Sequence, residues 1–481
     1  MLYLRLTDNN YKGVSLQDDG VDFSNLPDLE KLAVRKALDS INNVPLCELE
    51  KNGIVVFPSK TTKSDLDGKD KIILTVQNLE ADTPIVKTTN TMGFFCVGNV
   101  LQIEIRSRFE SGEKQFFLHY MLQKVCNVAP TVELAHANKS PFYEFAVYLF
   151  PSYLKRALGQ GLFRNYVNRE YNDSNIRGSI DFVRHFKNNI PFNGKIAYKT
   201  REFSYDNPLV QLIRHTVEYI SENRTFRAFL ENSVHDEMQK VRACTASYRR
   251  SERNKVISKN IKSISSPYYY EYEALRKLCL MILLREKNSY GALNNKRLNG
   301  ILFDGASLWE EYLNVVMQTY FKNKLYVLEH PNNRTGHGRR YLFKNEDEKN
   351  RTAIYPDFIL FDNNKHVVSI LDAKYKDLSD GNASREDYFQ ILAYLLRFNC
   401  NRGVLIYPYS KRDVVETKSV LFLAKESNDE RRGDVAFEIQ GLTIPDYPMS
   451  GSDNNSFKIF QNKMQQSEKA LFNALFNGVA I

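Results

Sequence analysis

Cysteine is sparse and scattered in this chain. The six residues Cys47, Cys96, Cys126, Cys244, Cys279 and Cys400 include no C-x-x-C pair, which argues against zinc ribbons and dithiol redox sites and leaves six reduced thiols. The eight histidines lack the H-x-x-x-H and H-x-x-E-H spacings of helical metal sites, so a zinc enzyme is not expected. Long apolar runs are missing too. The longest, Leu278 to Leu284, falls far short of the roughly 20 residues a membrane span needs. The N-terminus, Met-Leu-Tyr-Leu-Arg-Leu-Thr-Asp, has neither the apolar core nor the cleavage site of a signal peptide. The expectation is a cytoplasmic protein with no membrane partner. A phosphate-binding G-x-x-x-x-G-K-[ST] loop is also absent: Gly68-Lys69 is followed by Asp70 and lacks the upstream glycine. The chain is not expected to bind a nucleotide by that device.

What is present excludes general disorder: 43% of the 481 residues are apolar and 12% aromatic, enough to build cores. At about 150 residues per domain the length suggests roughly three domains. The net charge of +9 is unevenly spread. Residues 151–300 hold 27 Lys and Arg against 14 Asp and Glu, so the rest of the chain is slightly acidic. The basic residues are densest from Lys240 to Lys262 and include Arg249, Arg250, Arg253 and Lys255. Such a block suits contact with a phosphate backbone. A solvated helical face is the competing reading.

The pattern predicts an α+β multidomain protein in four stretches. Residues 1–135 read as a β-rich N-terminal domain, with a hairpin pairing Gly93–Val97 with Val100–Ile105 across Gly98-Asn99. Residues 136–300 read as a mainly helical basic domain, with helices over 142–158, 207–221, about 235–262 and 268–284. Residues 301–440 alternate helix, strands, helix and strand as an α/β core. Its first helix covers 307–322 with Ser307 as N-cap, and later elements are a hairpin of 354–361 with 366–375, a helix over 385–398 and a strand over 403–407. Residues 441–481 are a linker and a last helix.

Chemistry concentrates in the later hairpin, which contains Tyr355-Pro356-Asp357 and Asp372-Ala373-Lys374. A turn centred on Asn363-Asn364 sets Asp357 opposite Ile370. Side chains alternate along strands, so Asp357, Asp372 and Lys374 share one face. Two carboxylates side by side among apolar residues repel unless they pair or hold a cation, and a hard divalent ion such as Mg²⁺ fits them. Gln390 follows sixteen residues after Lys374, with Tyr394 one helical turn later.

This array of P-D, D-x-K and Q-x-x-x-Y resembles the PD-(D/E)XK nuclease core. Three further motifs resemble the McrC family, the nuclease subunit of McrBC restriction systems. They are Leu308-Trp309-Glu310-Glu311-Tyr312-Leu313, Arg177-Gly178-Ser179-Ile180-Asp181-Phe182 and Asp206-Asn207-Pro208-Leu209. The early hairpin and Leu118-His119-Tyr120-Met121-Leu122 extend the similarity over roughly 90–425. Trp309 stands where phenylalanine is usual, and the sequence after Leu209 lacks the usual N-R.

The resemblance implies that Asp357, Asp372 and the Ala373 carbonyl bind Mg²⁺ (or Mn²⁺). It implies that Lys374 orients or deprotonates the attacking water, that Gln390 supports it, and that Glu310 completes the metal shell. The product is then a cut phosphodiester with a 5′-phosphate. DNA and a separate AAA+ GTPase motor of the McrB type are the implied partners, with residues 1–135 the candidate motor contact. A subunit like that of LlaJI systems, acting on an unmethylated sequence, and a non-cleaving DNA-binding adaptor are the alternatives. Arg177 is a candidate for the DNA backbone, although a turn held by an ion pair with Asp181 is the simpler role. Asp206 reads as a helix cap, and His337, Arg339 and Arg340 as a solvated loop.

Overall fold

The structure, a computed structural model, describes every residue outside 1, 17–22, 24–25, 58–70, 81–83, 99, 111–114, 127–140, 265–266, 285–297, 323, 332–337, 346–348, 378–382, 411–417, 425–430, 447–455 and 477–481. Contacts divide the chain into two compact units: residues 1–138 with 290–481, and residues 139–289. The expected N-terminal and nuclease-like stretches therefore fall within one unit.

The first unit opens with β1 (Leu2–Thr7), β2 (Val14–Ser15), α1 (Asp28–Asp39), α2 (Leu46–Lys51), β3 (Ile54–Phe57), β4 (Leu74–Gln77), β5 (Ile85–Thr88), β6 (Thr91–Val97), β7 (Leu101–Arg106) and α3 (Phe116–Val125). The β6–β7 hairpin has the expected register, Gly93 opposite Ile105 and Val97 opposite Leu101. Gly98 supplies the positive φ, 55°, that its turn requires.

The second unit comprises α4 (Pro141–Gly159), β8 (Asn165–Asp173), β9 (Ser179–Ile180), α5 (Phe182–Asn188), β10 (Ile196–Ser204), α6 (Pro208–Ser221), α7 (Arg224–Cys244), α8 (Arg253–Lys259) and α9 (Tyr270–Leu284). It is less purely helical than expected, because β8, β10 and β9 form an antiparallel sheet. Their polar, partly exposed sequences carry little of the apolar alternation that marks a half-buried strand. The basic helix expected over about 235–262 is broken between α7 and α8. At α6 the cap is Asn207, whose side chain accepts from Leu209 and Val210 N–H, while Pro208 sits where its missing N–H is harmless. Asp206 is not the cap; it accepts instead from Gln211 Nε2 (2.6 Å) and Ser247 N–H (3.0 Å) and pairs with Arg169.

The chain then returns to the first unit as β11 (Leu298–Asp304), which lies antiparallel to β6 and parallel to β3. This closes a five-stranded sheet of order β1-β7-β6-β11-β3 over a core that includes Leu4, Leu6, Val56, Phe95, Ile103 and Leu302. The last elements are α10 (Gly305–Phe321), β12 (Val327–Glu329), β13 (Arg340–Lys344), β14 (Asn350–Ile354), β15 (Phe358–Phe361), β16 (Val367–Ala373), α11 (Arg385–Phe398), β17 (Arg402–Ser410), β18 (Lys418–Ala424), β19 (Arg431–Ile444) and α12 (Ser456–Phe476). Asp304, not Ser307, caps α10: its carboxylate accepts from the Ser307 N–H. Six of these strands form a mixed sheet, β12-β15-β16-β17-β19-β18. Its central pairs β16–β17 and β17–β19 are parallel, which accounts for the nearly continuous burial of β17. Glycine at 403 lets α11 approach β17, since a Cβ there would lie 2.8 Å from Ile391. The terminal α12 is tied in by Glu468, whose Oε1 accepts from the hydroxyls of Tyr120 and Tyr312, both at 2.7 Å.

Candidate active site

The site lies where β15 and β16 begin to separate. Cross-strand pairs run Phe358–Leu371, Ile359–Ile370 and Leu360–Ser369, with a bulge before Phe361. Continued by one step, this ladder sets Asp357 opposite Asp372, two residues from the expected partner. The difference comes from the turn. Asp362 Oδ1 accepts from the N–H groups of Asn364 (2.9 Å) and His366 (2.8 Å), and Lys365 takes a positive φ of 64°. A slip of two residues preserves side-chain parity, so the shared face survives the corrected register.

Asp357 is partly buried and Asp372 is 2% exposed. Oδ2 of Asp357 accepts from the Ala373 N–H at 2.7 Å. Burial, then the charges of Asp372 and Glu310, raise the Asp357 carboxyl well above the ordinary range, against the pull of Lys374. Burial likewise raises Asp372, while Lys374 opposes it. Lys374 follows the end of β16, and its N–H extends the ladder to Ile406 O at 2.9 Å. Its Nζ lies 2.6 Å from Asp372 Oδ2 and donates to Gln390 Oε1 at 2.7 Å. Burial disfavours the ammonium, but Asp372 and then Asp357 and Asp387 outweigh it and raise its pKa. Lys374 is thus held as a cation.

Gln390 and Tyr394 stand on α11 as their spacing predicts: Gln390 Nε2 donates to the Tyr394 hydroxyl oxygen at 3.0 Å. The helix start is fixed by a capping box between Ser384 and Asp387. Asp387 is a site residue that the motif reading missed. Buried, it lies 3.5 Å from Lys374 Nζ and binds Lys376 Nζ through both oxygens at 2.9 Å. Burial raises its pKa, but Lys376, Ser384 and Lys374 together bring it below the usual value. An acid at the third position after a serine was a legible cap signal, yet nothing in the sequence tied it to the lysine.

Glu310, on α10, is near enough to Asp357 to raise its pKa. It faces His330, with Nε2 3.7 Å from Oε1. His330 is the second residue that the sequence reading missed.

Behind the site, Tyr375 anchors the end of the D-x-K strand to the N-terminal sheet. Its hydroxyl lies 2.8 Å from Ser107 Oγ, and its carbonyl accepts from Arg108 at 2.8 Å. Arg108 stacks over the Tyr375 ring and pairs with buried Asp8 at 3.3 Å.

Among the described residues no three His, Cys, Asp or Glu side chains are grouped to hold a metal ion by themselves. Asp357, Asp372 and the Ala373 carbonyl still suit Mg²⁺. That ion keeps several waters and commonly takes only one or two carboxylates, and a divalent charge would offset both the burial and the Asp372 charge that raise Asp357.

The basic candidates belong to the second unit. Arg250 and Arg253 both pair with Glu222, at 2.9 and 3.1 Å, and Lys255 lies 3.7 Å from Glu252; Arg249 is exposed. Arg177 is exposed and lies 4.0 Å from Asp173, with Nε donating to the Tyr198 hydroxyl. Its expected partner Asp181 instead pairs with Lys199 at 2.7 Å and caps α5. Arg339 and Arg340 are bonded to Tyr355 and Glu329, whereas His337 lies outside the described residues. No described helix is long and apolar enough to cross a membrane.

Comparison with known proteins bears on the whole arrangement. No curated protein matches the chain. Two solved assemblies from Thermococcus gammatolerans show structural likeness. One is the half-complex of a tetradecameric assembly of McrB AAA+ hexamers with bound McrC, at 15% identity and TM-score 0.45, covering 97% of this chain and 100% of that one. The other is the McrBC complex, at 16% identity and TM-score 0.30, covering 66% and 87%. A family model described as "McrBC 5-methylcytosine restriction system component" matches residues 86–408, a span that holds the hairpin, Glu310, Gln390 and the basic stretch. The chain belongs to the family of McrBC 5-methylcytosine restriction system components.

Proposed function

We propose that this chain is the McrC-type DNA endonuclease subunit of its restriction system, hydrolysing phosphodiesters with Mg²⁺ held by Asp357, Asp372 and the Ala373 carbonyl. The observation that carries this reading is the partly buried Asp357 just before β15 beside the buried Asp372 on β16, with Lys374 fixed between Asp372, Asp387 and Gln390. When bound, the ion supplies Lewis-acid polarisation of the phosphate and lowers the pKa of water. Lys374, held cationic by its carboxylates, orients the attacking water and stabilises the charge gathering on the phosphate oxygens. Gln390 fixes the lysine's direction, and Tyr394 fixes the amide of Gln390. Glu310 adds negative charge beside Asp357, strengthening the demand for a cation.

DNA is the proposed substrate, met along its backbone by Arg249, Arg250, Arg253, Lys255 and Arg177; the exposure of Arg249, Arg250, Lys255 and Arg177 supports the assignment, while Arg253 is largely covered against Glu222 and Tyr219. An AAA+ GTPase of the McrB type is the proposed motor, in keeping with family membership. Its candidate contacts are residues 1–135, where Tyr11 and Leu29 are 72% and 83% exposed, and the α5 region, where Phe182, Val183, Phe186, Ile190 and Phe192 are all at least 59% exposed. Phe186→Asp should then weaken stimulation of the motor's GTPase without changing binding of bare DNA. Substitution is the suitable test, because removing residues 1–135 would strip β11 of both neighbouring strands.

The activity itself is tested with the full complex, Mg²⁺ and methylated and unmethylated plasmids. Lys374→Ala should abolish cutting and leave GTP hydrolysis intact. Cutting by the variant at the wild-type rate would reject the assignment. Equal cutting of both plasmids by the wild type would favour the reading in which the motor selects an unmethylated sequence.

A further inference from the structure

His330 lies outside every motif of the hairpin yet touches the main chain of Asp357 and faces Glu310 on α10. It ends the β12 run just before Pro331, which has no N–H with which to continue a ladder. The register pairs Glu329 with Ile359, bringing His330 level with Phe358. The two rings stack, with centroids 5.1 Å apart and planes at 25°. Nδ1 lies 2.7 Å from the Asp357 carbonyl oxygen. A carbonyl only accepts, so Nδ1 carries the proton and donates it. The opposite edge of the ring, Nε2, is buried, makes no hydrogen bond among the described residues, and faces Glu310 Oε1 at 3.7 Å. One ring therefore spans the main chain of Asp357 and the side chain of Glu310.

We propose that His330 is a positioning residue of the cleavage site, its Nδ1–H fixing the Asp357 main chain and hence the direction in which that carboxylate meets a divalent cation. The inference rests on the reading of Asp357 as a cation ligand. Packing against Phe358 would explain the stack alone. It would not require a donor at Nδ1, and this difference makes the two roles separable. Asparagine places an amide N–H near the position of Nδ1, whereas glutamine reaches towards that of Nε2. Phenylalanine keeps the stack and removes both nitrogens.

The experiment uses the full-length chain with its motor partner and the variants His330→Phe, His330→Asn and His330→Gln. Mn²⁺ binding is followed without DNA by the electron paramagnetic resonance signal of the free ion. The Mg²⁺ concentration for half-maximal cleavage and the thermal unfolding midpoint are measured alongside. Loss of a group that orients a ligand typically costs about 10–100-fold in metal affinity. His330→Phe should lose about that much Mn²⁺ affinity, with a matching rise in the Mg²⁺ requirement and an unchanged midpoint. His330→Asn should recover most of the loss and His330→Gln little of it. Wild-type Mn²⁺ affinity in His330→Phe would overturn the proposal, as would equal behaviour of the Asn and Gln variants; the latter comparison decides even if the Phe variant does not fold. A wild-type chain that binds no Mn²⁺ and cuts no DNA would overturn the site reading itself and this inference with it. Wild-type cleavage with unaffected variants would overturn the role of His330 alone.

Discussion

Neutralising Asp357 should stabilise the cation-free protein while removing its activity. Across adjoining strands, directly opposed side chains lie about 5 Å apart. At that distance two carboxylates in an effective dielectric of about 20 repel by roughly 3 kcal/mol. Lys374 and the Ala373 N–H offset part of this, leaving a net penalty on the order of 1–2 kcal/mol. Asparagine keeps an oxygen to accept from Ala373 and carries no charge. At about 2 °C per kcal/mol for a unit of this size, Asp357→Asn should raise the unfolding midpoint by about 2–4 °C in chelator at pH 8.

The sign follows from linkage. A carboxyl raised in the folded state costs nothing when protonated in both states. The cost accrues as pH climbs from the ordinary value of 3.8 through the folded one. The advantage of the variant should therefore fall to roughly one-half to two-thirds at pH 4.5. Mg²⁺ should raise the midpoint of the wild type and leave the variant unmoved. Differential scanning calorimetry at the two pH values, with and without Mg²⁺, reads all of this. A variant less stable than wild type at pH 8, or a gain independent of pH, would refute the reasoning.

Other consequences follow from the same contacts. Glu468→Leu leaves the buried hydroxyls of Tyr120 and Tyr312 without their acceptor and should cost about 2–4 kcal/mol in denaturant unfolding of the first unit. Asn207→Ala removes the α6 cap and should cost about 1–2 kcal/mol, read from the unfolding of the second unit. Gly300→Val should yield insoluble protein on expression, because a Cβ at 300 collides with Phe95 and the Phe94 carbonyl inside the first sheet. Asp387 has a lowered pKa, so its stabilisation is present above the unfolded value and lost as pH falls through the folded one. Lys376→Met should shrink that acid-sensitive component in a pH series of melts.

Legibility in the sequence tracked the range of the interactions involved. The helix over 385–398 was readable to the residue because Ser384, an acid three positions on and the 3.6-residue apolar period are local signals. The shared face of Asp357, Asp372 and Lys374 was readable because strand parity is blind to a two-residue slip. The register itself was not, since it depends on the bulge and on the side chain of Asp362 in the turn. Long-range pairing was hidden altogether. Nothing local in Leu298–Asp304 announces two partner strands some 200 residues earlier. His330 and Asp387 reach the site only through β12 pairing and through a lysine beyond the end of β16. The sheet of the second unit escaped because its strands are too polar and exposed to show a period.

In the proposed function Asp372 serves phosphodiester cleavage and not assembly. The most direct measurement is plasmid cleavage by the complex carrying Asp372→Ala, with GTP turnover followed in the same reaction. Cleavage should fall to background with turnover at the wild-type level, whereas cleavage at the wild-type rate would exclude Asp372 from the cleavage site.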